Sequence, residues 1–221
     1  SEYLPLTFSR RHGDPSRPWN NFNIKVKDAA GKPILNHQGN WRDIFQNWEA
    51  LGYSHPHFIK GFVANFLSAM TLDGYNPYRV GRDGIDWEKV EPDHPWSNIG
   101  YWNDHQVIYF QRLAELMEAF EPGSLAGDLE SRRYTYALVP YRIAAWDRMI
   151  RNPHDTIDFD AKLDHQIETM CSTQGSDARL VHGPDGTIHH ASLIEKILVL
   201  ALAKTGNLVP GGGIWMNTQR P

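Results

Sequence analysis

The chain has 221 residues, a formal net charge of -4, 41% hydrophobic and 22% charged residues, one cysteine, and eight Trp, nine Tyr and nine Phe. This balance excludes a disordered chain, which would be poorer in apolar residues, and a dedicated nucleic-acid surface, which needs a basic excess. Cys171 has no second cysteine to pair with, and the longest apolar run, Ile197–Ala203, is far short of the ~20 residues that span a bilayer, so a soluble protein without a membrane partner is expected.

The lone thiol fits a reducing compartment, and the opening SEYLPLTFSRRHGD carries no secretory signal pattern, so a cytoplasmic location is expected. In chain order, residues 8–22 read as a loop, with turn formers Gly13, Asp14, Pro15, Ser16 and Pro18. Phe22, Ile24 and Val26 then alternate with Asn23, Lys25 and Lys27, a strand period. A turn over Ala29–Pro33 predicts a short β-hairpin that completes an N-terminal unit over residues 1–39.

From residue 40 to 221 the pattern is helical. Trp41–Leu51 places Ile44, Phe45, Trp48 and Leu51 along one face, and residues 55–70 place Phe58, Phe62, Phe66 and Met70 at four-residue steps. So short a link predicts an antiparallel αα-hairpin. Residues 71–102 have little periodicity and read as a functional loop or a small ordered subdomain.

Helix returns over residues 103–120, with Val107, Phe110, Leu113, Met117 and Phe120 as the expected buried stripe and Glu121-Pro122-Gly123 as its stop. Residues 124–150 predict helix in pieces, broken at Pro140; residues 160–172 predict a shorter amphipathic helix; residues 181–191 predict a small hairpin around Pro184-Asp185-Gly186. Ser192 and Glu195 form a capping box for a last helix, Leu193–Gly206. Being apolar nearly all round, that helix is expected to be buried between other elements. The fold class is therefore mainly α, built of helical hairpins with long loops.

The densest chemistry lies between Asn40 and Trp48, where two Trp, an Arg-Asp doublet and three side-chain amides meet at a helix entrance. A pyranose has an apolar C–H face and a rim of hydroxyls. Trp41 could cover the face, Asp43 accept from neighbouring hydroxyls and Arg42 donate to their oxygens, with Trp48, Trp87 and Trp102 as further aromatic platforms. The same residues also read as a core Trp41 beside an Asp that favours a helix dipole.

Inverting glycoside hydrolysis needs two carboxyls roughly 6.5–9.5 Å apart. Asp86 and Glu88, flanking Trp87, and Asp104 are the candidates, Asp104 reading equally as a helix cap. Arg10, Arg11, His12 and Arg17 form the densest basic cluster, a candidate phosphate contact that reads also as a solvated patch. Eleven His are present without an HExxH, Cys/His or EF-hand spacing, so neither metal nor cofactor is expected.

GNWRDIFQNWEAL, residues 39–51, resembles the Arg-Asp-containing helix entrance of the six-hairpin (α/α)6 toroid carbohydrate enzymes, which include glucoamylases, amylo-1,6-glucosidases and the cellobiose and chitobiose phosphorylases. The resemblance implies a toroid of paired helices with loops forming a cleft at one end, inverting hydrolysis or phosphorolysis, and Arg42 and Asp43 gripping an oligosaccharide or glycoside substrate. GYWNDHQ, residues 100–106, is similar to the Gly-Asp-Trp-Asn-Asp motif of the phosphorylase branch and implies Asp104 as general acid, although Tyr101 stands where that motif has its first acid. The segment Ser9–Asn20 is similar to the opening of a large group of bacterial proteins, from which no activity follows.

A closed ring of six hairpins needs twelve helices, and about half that number can be read here. A partial toroid, part of a longer catalytic domain, is therefore expected. Its uncovered helix faces would meet a second copy or the remainder of a parent chain. The alternative to an enzyme is a noncatalytic glycan-binding or assembly module on the same scaffold.

Overall fold

A computed structural model describes residues 28–32, 38–77, 79–81, 84–86, 107–152 and 157–206. Among them the protein is mainly helical, with seven helices and five strands of three residues each. Of the expected N-terminal hairpin only the turn is described. The Asp28 carboxylate accepts from the backbone N–H of Ala30 and Lys32, both at 2.9 Å. Residues 1–27 and 33–37 lie outside the described set.

Strand β1, Gln38–Asn40, runs directly into α1, Trp41–Ser54. A 3-10 turn over Pro56–Phe58 leads into α2, Ile59–Ser68. The two helices pair through rings spaced three and four residues apart. Trp41 and Phe45 reach Phe66, with centroids 6.4 and 5.0 Å away, while Trp48 stacks on Phe62 at 4.7 Å. Later residues of α1 meet earlier residues of α2, so the expected helical hairpin is antiparallel.

Helix α3, Val107–Phe120, packs on both. Arg112 pairs with Glu49, and Tyr53 meets Phe120 edge-on, so α3 runs alongside α1 in the same sense. Lys60 pairs with Glu121 and Phe66 stacks on Phe110, the opposite sense to α2. Gly52 permits the close approach of α1 and α3, since a Cβ there would lie 2.7 Å from Leu116 Cδ2. Of the stripe expected on α3, Phe110, Leu113 and Met117 are buried, whereas Phe120 at the helix end is half exposed against Tyr53.

Residues 124–150 are less helical than their composition predicts. Only α4, Ser124–Asp128, and α5, Trp146–Arg151, form there. Between them the chain is extended, because Tyr134 and Tyr136 are buried in alternation with exposed Arg133 and half-buried Thr135, a period of two. This segment bridges Ala191 from Tyr134 and Leu180 from Ala137, and His182 bridges Ile188 across the expected Pro-Asp-Gly turn.

Strand β4, Tyr141–Ile143, pairs with β5, Ile157–Phe159, and Arg148 of α5 clamps Asp158 of β5 at 2.8 Å. Helix α6, Ala161–Gln174, is capped by Asp160, whose carboxylate accepts from Leu163 N–H at 3.0 Å.

The last helix, α7, Leu193–Gly206, is not buried all round. Leu193, Lys196, Leu200 and Ala203, at i, i+3, i+7 and i+10, form its buried stripe, whereas Ile194, Leu198 and Leu202 face outward, Leu202 at 70% exposure. A helix packed on one side only buries one stripe whatever the rest of its composition. No helix among the described residues is long and apolar enough to cross a membrane. The main core joins α1, α2 and α3 to Tyr134, Tyr136 and the buried stripe of α7.

Candidate functional site

The helix entrance singled out in the sequence is built on a three-stranded antiparallel ladder. Its strands are β1, then β2, Arg79–Gly81, then β3, Gly84–Asp86. The register sets Asn40 opposite Arg79 and Arg79 opposite Asp86. Neighbouring strands lie about 4.8 Å apart, so Asn40 and Asp86 are separated by roughly 10 Å of backbone in one row. Arg42 and Asp43 are the second and third residues of the helix that leaves this row, in the turn whose N–H groups have no intrahelical acceptor. The fold thus gathers Arg42, Asp43, Arg79 and Asp86 at one end of the ladder, as backbone positions.

The aromatic half of the expected site goes elsewhere. Trp41 and Trp48 are 3% and 7% exposed and belong to the hydrophobic core. Trp41 packs edge-on against Phe45 at 4.8 Å, and the flat face of Trp48 is taken by Phe62. Both were expected to stack on a ligand; here they hold α1 to α2. Their spacing of seven residues, two helical turns, puts them on the same inner face. Neither indole Nε1 has a hydrogen-bond partner among the described residues. Trp87, Glu88, Trp102 and Asp104 lie outside the described residues.

A cavity of about 340 Å³ opens at the other end of α1, lined by Glu49, Tyr53, Arg112, Glu115 and Phe120. Arg112 Nε donates to Glu49 at 3.1 Å and its Nη1 lies 3.9 Å from Glu115, so one guanidinium stands between two carboxylates. Tyr53 and Phe120 leave much of their rings open to solvent. Sequence reading passed over this group, since its parts lie on two helices about 60 residues apart and only the i, i+3 pair Arg112/Glu115 is visible locally.

A second group, forecast only in its capping box, surrounds the start of α7. Ser192 Oγ accepts from Glu195 N–H at 3.3 Å, the forward half of the expected capping box. The Glu195 carboxylate instead accepts from Tyr136 Oη at 3.0 Å and lies 3.3 Å from His189 Nε2, whose ring stacks on Tyr136. Beside that phenol, Lys196 is wholly buried, its Nζ 3.1 Å from the ring centroid and donating to the Thr135 carbonyl. Burial pushes the Lys196 amine down to about 6, only partly offset by neighbouring Glu195. Burial, then the hydrogen bond and the charge of Glu195, push the Tyr136 phenol well above its usual range. The sequence signal was a lysine inside the i, i+3, i+7 stripe of Leu193 and Leu200.

An apolar groove of about 770 Å³ runs between α3, α4 and α7, floored by Phe110, Leu125, Leu129, Leu193 and Ile197. No cluster of three or more His, Cys, Asp or Glu fit to hold a metal occurs among the described residues. Against protein-family models and against curated proteins, the chain has no match.

Proposed function

We propose that this chain is a carbohydrate-active domain that acts on glycosidic bonds by inversion in the cytoplasm, its paired helices forming part of an (α/α) toroid. The observation that carries the reading is the row Asn40–Arg79–Asp86 at the mouth of α1, in which Asp86 stands about 10 Å across two strand spacings from Asn40, the residue two positions before the Arg42-Asp43 doublet. Arg42 and Asp43 would bond sugar hydroxyls. The acid that protonates the leaving oxygen and the base that takes the water proton would come from Asp86, Glu88 and Asp104. Trp87 and Trp102 take over the stacking role from the core residues Trp41 and Trp48.

The second reading is a noncatalytic glycan-binding or assembly module. Two observations favour it: the sealed indoles of α1, and the cleft where Arg112 lies between Glu49 and Glu115 beside exposed rings. Carboxylate and guanidinium groups bond sugar hydroxyls, and exposed rings cover the C–H face of a sugar.

Incubation of the protein with an oligosaccharide panel, with and without inorganic phosphate, separates the two. Inverted product, lost about 100-fold or more in Asp104→Asn or Asp86→Asn, supports the enzyme. Binding without product, weakened by Tyr53→Ala, supports the module. Neither product nor binding by the folded protein overturns both.

A further inference from the structure

The outer face of α7 has a consequence independent of either reading of the site. At 3.6 residues per turn, Ile194, Leu198 and Leu202 stand on the side of the helix opposite its buried stripe, and all three are open to solvent. They form an apolar ridge about 12 Å long. Beside it runs the groove between α3, α4 and α7, where Val107, Phe110, Ala114 and Ala119 line an α3 wall about 18 Å long. Ile197 joins the two, since it lines the groove and lies one turn from Ile194 and next to Leu198. Ridge and groove are thus one continuous apolar surface, convex on one side and concave on the other. Contiguous apolar surface of this kind marks an interaction site, unlike apolar side chains exposed singly.

The shape selects the occupant. A single foreign helix laid in the groove would leave the ridge in water, because a helix offers one stripe to its neighbour. A second copy related by a two-fold axis covers both, since each copy sets its ridge in the other's groove and the contact closes on itself. The lengths agree, for the ridge is shorter than the groove wall by about 6 Å. The charges agree as well. The charged residues lining the groove are Glu115 and Glu118, both acids, whereas the ridge carries no acid and is followed on α7 by Lys204.

We propose that this face is a self-association surface, through which two copies of the chain pair by seating the Ile194–Leu198–Leu202 ridge of each in the α3/α4/α7 groove of the other. The footprint is one helix length, about 21 Å, by about two helix diameters. That is small for an obligate interface, so the dimer is reversible and depends on concentration.

Sedimentation equilibrium of the intact chain over about 1–100 μM should show monomer and dimer in exchange. Leu198→Glu on the ridge and Ala114→Glu on the groove wall should each weaken the dimer about 100-fold or more, because either homodimer then holds two faulty contacts worth about tenfold apiece. Circular dichroism checks that both variants fold; should Ala114→Glu not, Ala119→Glu, at an exposed position lining the same groove, replaces it. An equimolar mixture of the ridge and groove variants should recover dimer, since a mixed pair gathers both substitutions into one contact and leaves the other intact. A wild type that stays monomeric leaves the face to a different chain and overturns the proposal. So do a dimer indifferent to both substitutions, open-ended larger species, or variants that fail to pair on mixing.

Discussion

Replacing Gly74 by alanine tests the contact that seats the 71–76 turn on α7. Gly74 has φ +83, and a Cβ built on it would lie 2.6 Å from Ala203 Cβ and 3.1 Å from the Val199 carbonyl oxygen. Neither neighbour is the far end of a flexible side chain. One is a methyl fixed to the helix, the other is helix backbone, so the turn itself must move. The left-handed backbone costs an ordinary residue about 1–2 kcal/mol, and forcing a methyl into filled space costs about 1–3 kcal/mol more. The turn has its own bonds to lose, Thr71 N–H to the Tyr75 carbonyl and Tyr75 N–H to Thr71 Oγ1.

Urea unfolding followed by far-ultraviolet circular dichroism should show Gly74→Ala destabilised by about 2–5 kcal/mol, a midpoint lower by about 1–2 M. Gly186→Ala supplies the backbone part alone, for Gly186 has φ +78 and nothing within 4 Å of its Cβ position. Adding Ala203→Gly to Gly74→Ala should return the part of the steric cost owed to the Ala203 methyl, less about 1 kcal/mol for a glycine inside a helix, while the Val199 carbonyl contact remains. Equal losses in Gly74→Ala and Gly186→Ala would refute the reasoning, because the overlap with α7 would then count for nothing.

Two further expectations concern residues read first as ligand contacts or not read at all. Trp48→Ala should cost about 3–5 kcal/mol of stability. Trp48→Phe, which keeps the stack on Phe62 and removes an N–H with no partner, should cost far less; comparable losses would contradict the core role. For Lys196 the native amine is depressed to about 6 from 10.5, so between these values the unfolded chain binds a proton that the native chain does not. Stability should thus rise with pH across that window, by up to about 1.4 kcal/mol per unit, and level off below about 6. Lys196→Met should be the more stable protein at pH 7 and lose this slope in urea titrations at several pH values.

The helices were legible where one apolar stripe was distinct, as in α1 with Phe45 and Trp48 and α3 with Leu113 and Met117. The alternating Tyr134 and Tyr136 were hidden by helix-favouring neighbours, and only their pairing with Leu180 and Ala191 settles the extended form. For α7, composition gave no hint of which face would remain open, because Ile194 and Leu198 are as apolar as Leu193 and Leu200; tertiary packing alone separates them. At the site, the Arg42-Asp43 doublet was visible as a pattern, and the row that sets Asn40 in line with Asp86 was not, since the ladder joins residues 46 positions apart through Arg79. The indole of Trp41 shows the limit of local chemistry: polar neighbours in sequence do not decide which way a helical side chain turns. Lys196 shows the converse, a charge-bearing residue drawn inward by the stripe it belongs to.

The two buried indoles of the α1/α2 hairpin, without a hydrogen-bond partner among the described residues, also give the fold an intrinsic optical reporter. An excited indole shielded from water and without a hydrogen-bonded N–H emits at short wavelength, whereas Trp146, half open on α5, emits at longer wavelength. Opening of that hairpin would therefore red-shift and quench the contribution of Trp41 and Trp48, which the difference from a Trp41→Phe, Trp48→Phe double variant isolates from the chain's six other tryptophans.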